Sequence, residues 1–158
     1  MSNDDAELLT AWRDGDGAAG EAFVERHFLS VYRFFATKLP DEADDLTQRT
    51  FVDLQRKLDK VREANSVRAY LMTIARNNLY MHLRRRVTHD GVFDPSAISV
   101  ADLGVAVSPS LAIAKRREQR LLLGALRSVP VETQVLLELF YWENLKVREI
   151  AEILELAP

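Results

Sequence analysis

A chain of 158 residues with 47% apolar side chains is long enough for one ordinary domain or two small ones, and it can build a real core. Its net charge of −3 gives no bulk attraction for nucleic acid, so any such contact requires a local basic patch. Cysteine is absent, which excludes disulfides, thiol catalysis and cysteine-type zinc sites.

The N-terminal MSNDDAELL is acidic and lacks the basic-then-apolar layout of a signal peptide. No apolar run approaches the roughly 20 residues needed to span a bilayer, so a cytoplasmic protein is the simplest reading. Trp12 is expected to anchor the first helix. Val24, Phe28, Val31, Phe35 and Leu39 then recur at helical spacing, and Phe23 and Phe34 join them as expected packing residues. Pro40 and Asp41 open a second helix whose stripe is Thr47, Phe51, Leu54, Leu58 and Val61. Asn65 and Ser66 can cap a third, with Val67, Leu71, Ile74, Ala75, Leu79 and Leu83 on one side.

From Val87 the periodicity fails. Residues 87–109 carry two Gly, two Pro and four Ser or Thr, the composition of a linker. Helical pattern returns at SLAIAKRREQRLLLGALRSV, breaks at Pro130 and resumes in VETQVLLELFYWENL. A last segment, KVREIAEILEL, puts Val147, Ile150, Ala151 and Leu154 on one side. At about 11 residues it is marginal alone and is expected to fray unless a neighbour covers it. The spacing predicts an all-α chain of two helical modules, residues 1–87 and 109–158, joined by a flexible linker over 88–108.

Two segments invite a chemical reading. Asp41, Glu42, Asp44 and Asp45 crowd the first turn of the second helix, where the helix dipole favours carboxylates. Adjacent Asp44 and Asp45 point about 100° apart and cannot form a catalytic dyad. No second convergent group accompanies them, so no enzyme is expected. His27, His82 and His89 show no zinc-protease spacing, and neither a metal nor a cofactor is expected. Between residues 66 and 86 stand five arginines (68, 76, 84, 85 and 86), no acid, and Tyr70, Tyr80, Asn77 and Asn78 among them. Guanidinium groups contact phosphates, aromatic rings stack on bases and amides read base edges. A solvated basic face complementing the helix dipole accounts for the same pattern.

ADDLTQRTFVDL (43–54) followed by SVRAYLMTIARNNLYMHLRRR (66–86) resembles region 2 of bacterial sigma factors of the extracytoplasmic-function type. LLLGALRSVPVETQVLLELFYWENLKVREIAEIL (121–154) resembles the start of their region 4. The resemblance implies that Asp44, Asp45, Gln48 and Arg49 bind core RNA polymerase at the clamp helices of its β′ subunit. It also implies that the basic helix faces the −10 promoter element and its opened strand. An extruded base would be held by the loop from Lys60 to Ser66. The implied DNA-binding set is Lys60, Arg62, Asn65, Arg68, Tyr70, Arg76, Asn77, Arg84, Arg85 and Arg86.

Tyr70 stands where the family has tryptophan, and Met81 where it commonly has aspartate. The family's recognition helix would begin just after Pro158, so the resemblance implies a partial region 4 without −35 readout. The expected function is a sigma factor that recognises and melts the −10 element, with promoter DNA and an anti-sigma factor as further partners. The alternative is an interaction protein that occupies polymerase or an anti-sigma factor without directing initiation.

Overall fold

The computed structural model describes residues 3–61, 66–87, 91–105 and 116–156. Among them are eight α-helices and no named strand, in line with the all-α expectation. The first module holds α1 (Asn3–Arg13), α2 (Gly17–Ala36), α3 (Ala43–Arg56), α4 (Leu58–Val61) and α5 (Val67–Arg84). The second holds α6 (Arg117–Ser128), α7 (Val131–Tyr141) and α8 (Val147–Ile153).

The starts of the helices have local causes. Asp16 caps α2 by accepting from the backbone N–H groups of Ala18 (3.0 Å) and Ala19 (3.2 Å). Ser66 caps α5, its Oγ accepting from the Ala69 N–H at 3.1 Å. A 3-10 turn, Pro40–Glu42, leads into α3. The stripe expected on one continuous helix runs over two, because the chain tightens at Lys57, whose N–H bonds the Leu54 carbonyl. All five stripe residues are nonetheless buried. Trp12 is half-buried and lies across Gly20, where a Cβ would meet its ring at 2.5 Å. Phe28 departs from the packing expectation at 37% exposed, its ring stacked beside Tyr32 and Phe51 at the edge of the bundle.

The described part of the expected linker is docked. Phe93, Val100 and Val105 are buried, and Phe93 packs edge-on to Tyr80 at 5.5 Å. Backbone N–H groups of Ala101, Val131 and Glu132 bond the carbonyls of Arg127, Ile98 and Pro95. Turn-forming composition decides how the chain bends, whereas these three apolar side chains decide where it rests.

One continuous core therefore runs from Leu9 and Phe23 through Leu79 and Val100 to Val135, Leu139 and Ile153. The fraying expected of the last segment is not what the structure holds, because α5 covers it. Ile150, Ile153 and Leu154 are buried where α8 meets α5 and α7, while Val147, expected on the apolar side, is 70% exposed.

Candidate functional site

Helix α3 separates two faces cleanly. Ala43, Leu46, Thr47, Thr50, Phe51 and Leu54 are buried, and Asp44, Asp45, Gln48 and Arg49 are all exposed. Thr47 and Thr50 occupy core positions without loss, because each hydroxyl donates to the carbonyl four residues back, at 2.6 and 2.8 Å. The orientation of the outer face is fixed from α5. There Asn78 donates to Thr50 Oγ1 (3.3 Å) and to Asp53 Oδ2 (3.1 Å). Asn78 is therefore a buried tie between two helices and not the base-reading amide its sequence neighbourhood suggests. Val52 continues the outer strip at 44% exposure, and Arg49 reaches Met81 Sδ at 3.8 Å. Sequence reasoning passed over Val52; its place four residues after Gln48 was the available signal.

The residues expected on the basic surface are brought together only in part. Lys60 is exposed on α4, and Arg62 and Asn65 lie outside the described residues. Arg84 and Arg85 are exposed at the end of α5 and make no ion pair among the described residues. Arg86 donates to Glu42 Oε1 at 2.9 Å, with His82 Nε2 3.7 Å from the same oxygen. Burial holds the His82 imidazole below its usual range, an effect that Glu42 opposes. Asn77 is exposed, and its Oδ1 accepts from Arg76 at 2.7 Å.

The other three are engaged within the protein. Tyr70 is half-buried, and burial pushes its hydroxyl pKa up. Arg68 donates to the Glu143 carbonyl at 2.7 Å and lies 3.4 Å from its carboxylate. Arg76, expected on an open face, is 7% exposed: its guanidinium contacts Glu155 Oε1 at 3.2 Å and lies 5.2 Å from the centre of the Tyr80 ring. The tyrosine, itself desolvated, has a pKa pushed up to about 12. The cause of the correction is α8, which covers this side of α5.

A polar seam beneath the junction of the modules was not foreseen. Lys38, fully buried, pairs with Glu138 of α7, and Gln134 Nε2 lies 3.5 Å from Glu138 Oε1. Desolvation drives the Lys38 pKa down, and the facing Glu138 carboxylate only partly offsets it. Arg127 donates to the carbonyls of Thr37 (2.8 Å), Lys38 (3.3 Å) and Val105. Glu143, only 6% exposed, lies between Arg33 (2.7 Å) and Arg68. A glutamate inside the apolar run VLLELFY was the sequence signal for this seam, since such a charge needs a buried partner. Among the described residues no cluster of metal-ligating side chains exists, and no helix is long and apolar enough to cross a membrane.

The family comparison falls on this same bundle, from α2 to α5. Residues 23–88 match the model of Sigma-70 region 2. Similar curated proteins include the "ECF RNA polymerase sigma factor SigC" of Mycobacterium tuberculosis and the "Probable RNA polymerase sigma-C factor" of Mycobacterium bovis. Each is 37% identical over 87 residues, 52% of this chain and 46% of the relative. The chain thus spans about half the length of the curated relatives it matches.

Proposed function

We propose that the chain binds core RNA polymerase and directs promoter-specific initiation as a sigma factor. The observation that carries this reading is the outer face of α3, where Asp44, Asp45, Gln48 and Arg49 are exposed over a fully buried apolar stripe. That face docks on the clamp helices of the β′ subunit. The exposed Arg84, Arg85 and Asn77 of α5, with the loop around Lys60, meet the −10 element and help hold it open. Melting costs stacking and pairing energy, part of which is recovered by seating extruded bases against planar side chains. An anti-sigma factor as regulatory partner and a cytoplasmic location belong to the same reading.

Charge reversal of both Asp44 and Asp45 tests it. Both side chains are exposed and form no ion pair among the described residues, so helicity and melting should change little. Co-purification with core polymerase should fall sharply. Undiminished capture would remove α3 as the docking helix.

The non-initiating alternative has one observation in its favour. Arg68 and Arg76, two of the basic residues on α5, are already engaged by the second module.

A further inference from the structure

Helix α3, with the turn before it, and helix α5 meet along one antiparallel column of side chains. At one end Asn78 donates to Asp53 Oδ2 and Thr50 Oγ1. At the other Arg86 donates to Glu42 Oε1, with His82 Nε2 3.7 Å from the same oxygen. Between them Arg49 Nη2 lies 3.8 Å from Met81 Sδ. The amide and the other guanidinium of this column meet oxygen, whereas Arg49 meets a thioether, a weak acceptor. Arg49 has no ion pair among the described residues, and it stands on the outer face of α3.

The chain has three methionines and no cysteine, so no thiol competes for an oxidant. Met81 is 40% exposed, while Met72 on the same helix is 3% exposed. We propose that Met81 is an oxidation-sensitive modification site that controls the outer face of α3 through Arg49. Hydrogen peroxide or hypochlorous acid gives one oxygen atom to Sδ. An S–O bond forms as the O–O or Cl–O bond breaks, sulfur loses two electrons, and the oxidant is reduced to water or chloride. Oxidation turns a flexible apolar side chain into a polar one. The new oxygen is a strong acceptor, so it completes the column and holds the Arg49 guanidinium on α5, away from any partner of α3. Methionine sulfoxide reductases reverse the change, the oxygen leaving as water while two thiols close to a disulfide. The inference rests on the reading of α3 as the polymerase-docking helix.

The full chain is treated with hydrogen peroxide, the excess is removed with catalase, and the added oxygen is located by peptide mass spectrometry. Met81 should take up oxygen well before Met72. Capture by core polymerase should then fall roughly fivefold, the worth of about one net hydrogen bond, and recover after reductase treatment. Met81→Gln, polar and of similar length, should lower capture without oxidant. The Met81→Leu chain, compared with its own untreated capture, should be indifferent to peroxide. Met1 is common to both chains, so its oxidation cancels in that comparison. In an Arg49→Gln chain oxidation should add little further loss, because the two side chains act as one pair.

Full oxidation of Met81 with unchanged capture would overturn the proposal. So would earlier oxidation of Met72, or an equal peroxide-induced loss in the Met81→Leu or Arg49→Gln chain. A loss that merely tracks a lowered melting temperature would overturn it too. Failure of the underlying reading would show separately, as undiminished capture of the untreated chain after charge reversal of Asp44 and Asp45.

Discussion

Lys38 and Glu138 stand 100 positions apart in sequence and meet with both side chains almost wholly out of water. Removing one partner from such a pair leaves an uncompensated buried charge, at a cost of about 3–5 kcal/mol. Replacing both with apolar groups is often close to neutral. Lys38→Met should therefore lower the urea midpoint strongly, and Lys38→Met with Glu138→Leu should recover most of the loss. A double variant as unstable as the single one would show that the pair does more than neutralise itself. At this scale the sequence was readable wherever a residue's role is set by its own helix. Ser66 as a cap and the exposure of Asp44, Asp45, Gln48 and Arg49 follow from local spacing. Arg68 and Arg76 were misplaced because spacing says nothing about which glutamate, some 75–79 residues away, a guanidinium will meet.

Among the elements, α1 is fastened to α2 by charge as well as by packing. Buried Asp5 lies 3.1 Å from His27 Nε2 and 2.8 Å from Arg26 Nη1. Burial alone would raise its pKa, but the neighbouring His27 and the bond from Arg26 outweigh that, and the carboxyl sits below the usual aspartate range. A depressed carboxyl pKa adds stability that is complete above its unfolded value and is lost as pH falls through the folded one. Detachment of α1 should therefore begin only below about pH 4, and Asp5→Asn should weaken it by about 1–3 kcal/mol already at neutral pH. Amide exchange in α1 against pH reads both.

Helix α5 gives a second expectation. Replacing Arg84, Arg85 and Arg86 with alanine should weaken holoenzyme binding to promoter DNA and flatten its salt dependence. Each lost phosphate contact lowers the log–log slope by about 0.9. Equal slopes would mark these arginines as a solvated face. Helix α8 shows where periodicity stops being informative. Its amphipathic pattern was legible, but the partner of its apolar side was not, and α5 supplies that partner.

For the whole molecule, composition and periodicity were enough for an all-α chain with two helical modules, because each module buries stripes written at helical spacing. The closed arrangement was hidden for two reasons. Glycine, proline and serine around residues 91–105 conceal the three apolar side chains that dock that segment. The acid–base contacts across the junction are long-range and leave no local period. Closure also adds a pH dependence: Glu149 is partly desolvated, yet its bonds from Ser66 and from the Lys146 N–H keep its pKa below the usual glutamate range. Its contribution is complete above that range and fades as pH falls below it, in the same acid window as that of Asp5.

Transcription reconstituted from core polymerase and this chain tests the central claim most directly, on templates that differ only in the −10 element. Initiation should require the chain, should vary with the −10 sequence, and should collapse when Asp44 and Asp45 are reversed in charge. Initiation that is indifferent to the −10 sequence, or that survives the charge reversal undiminished, would contradict the account.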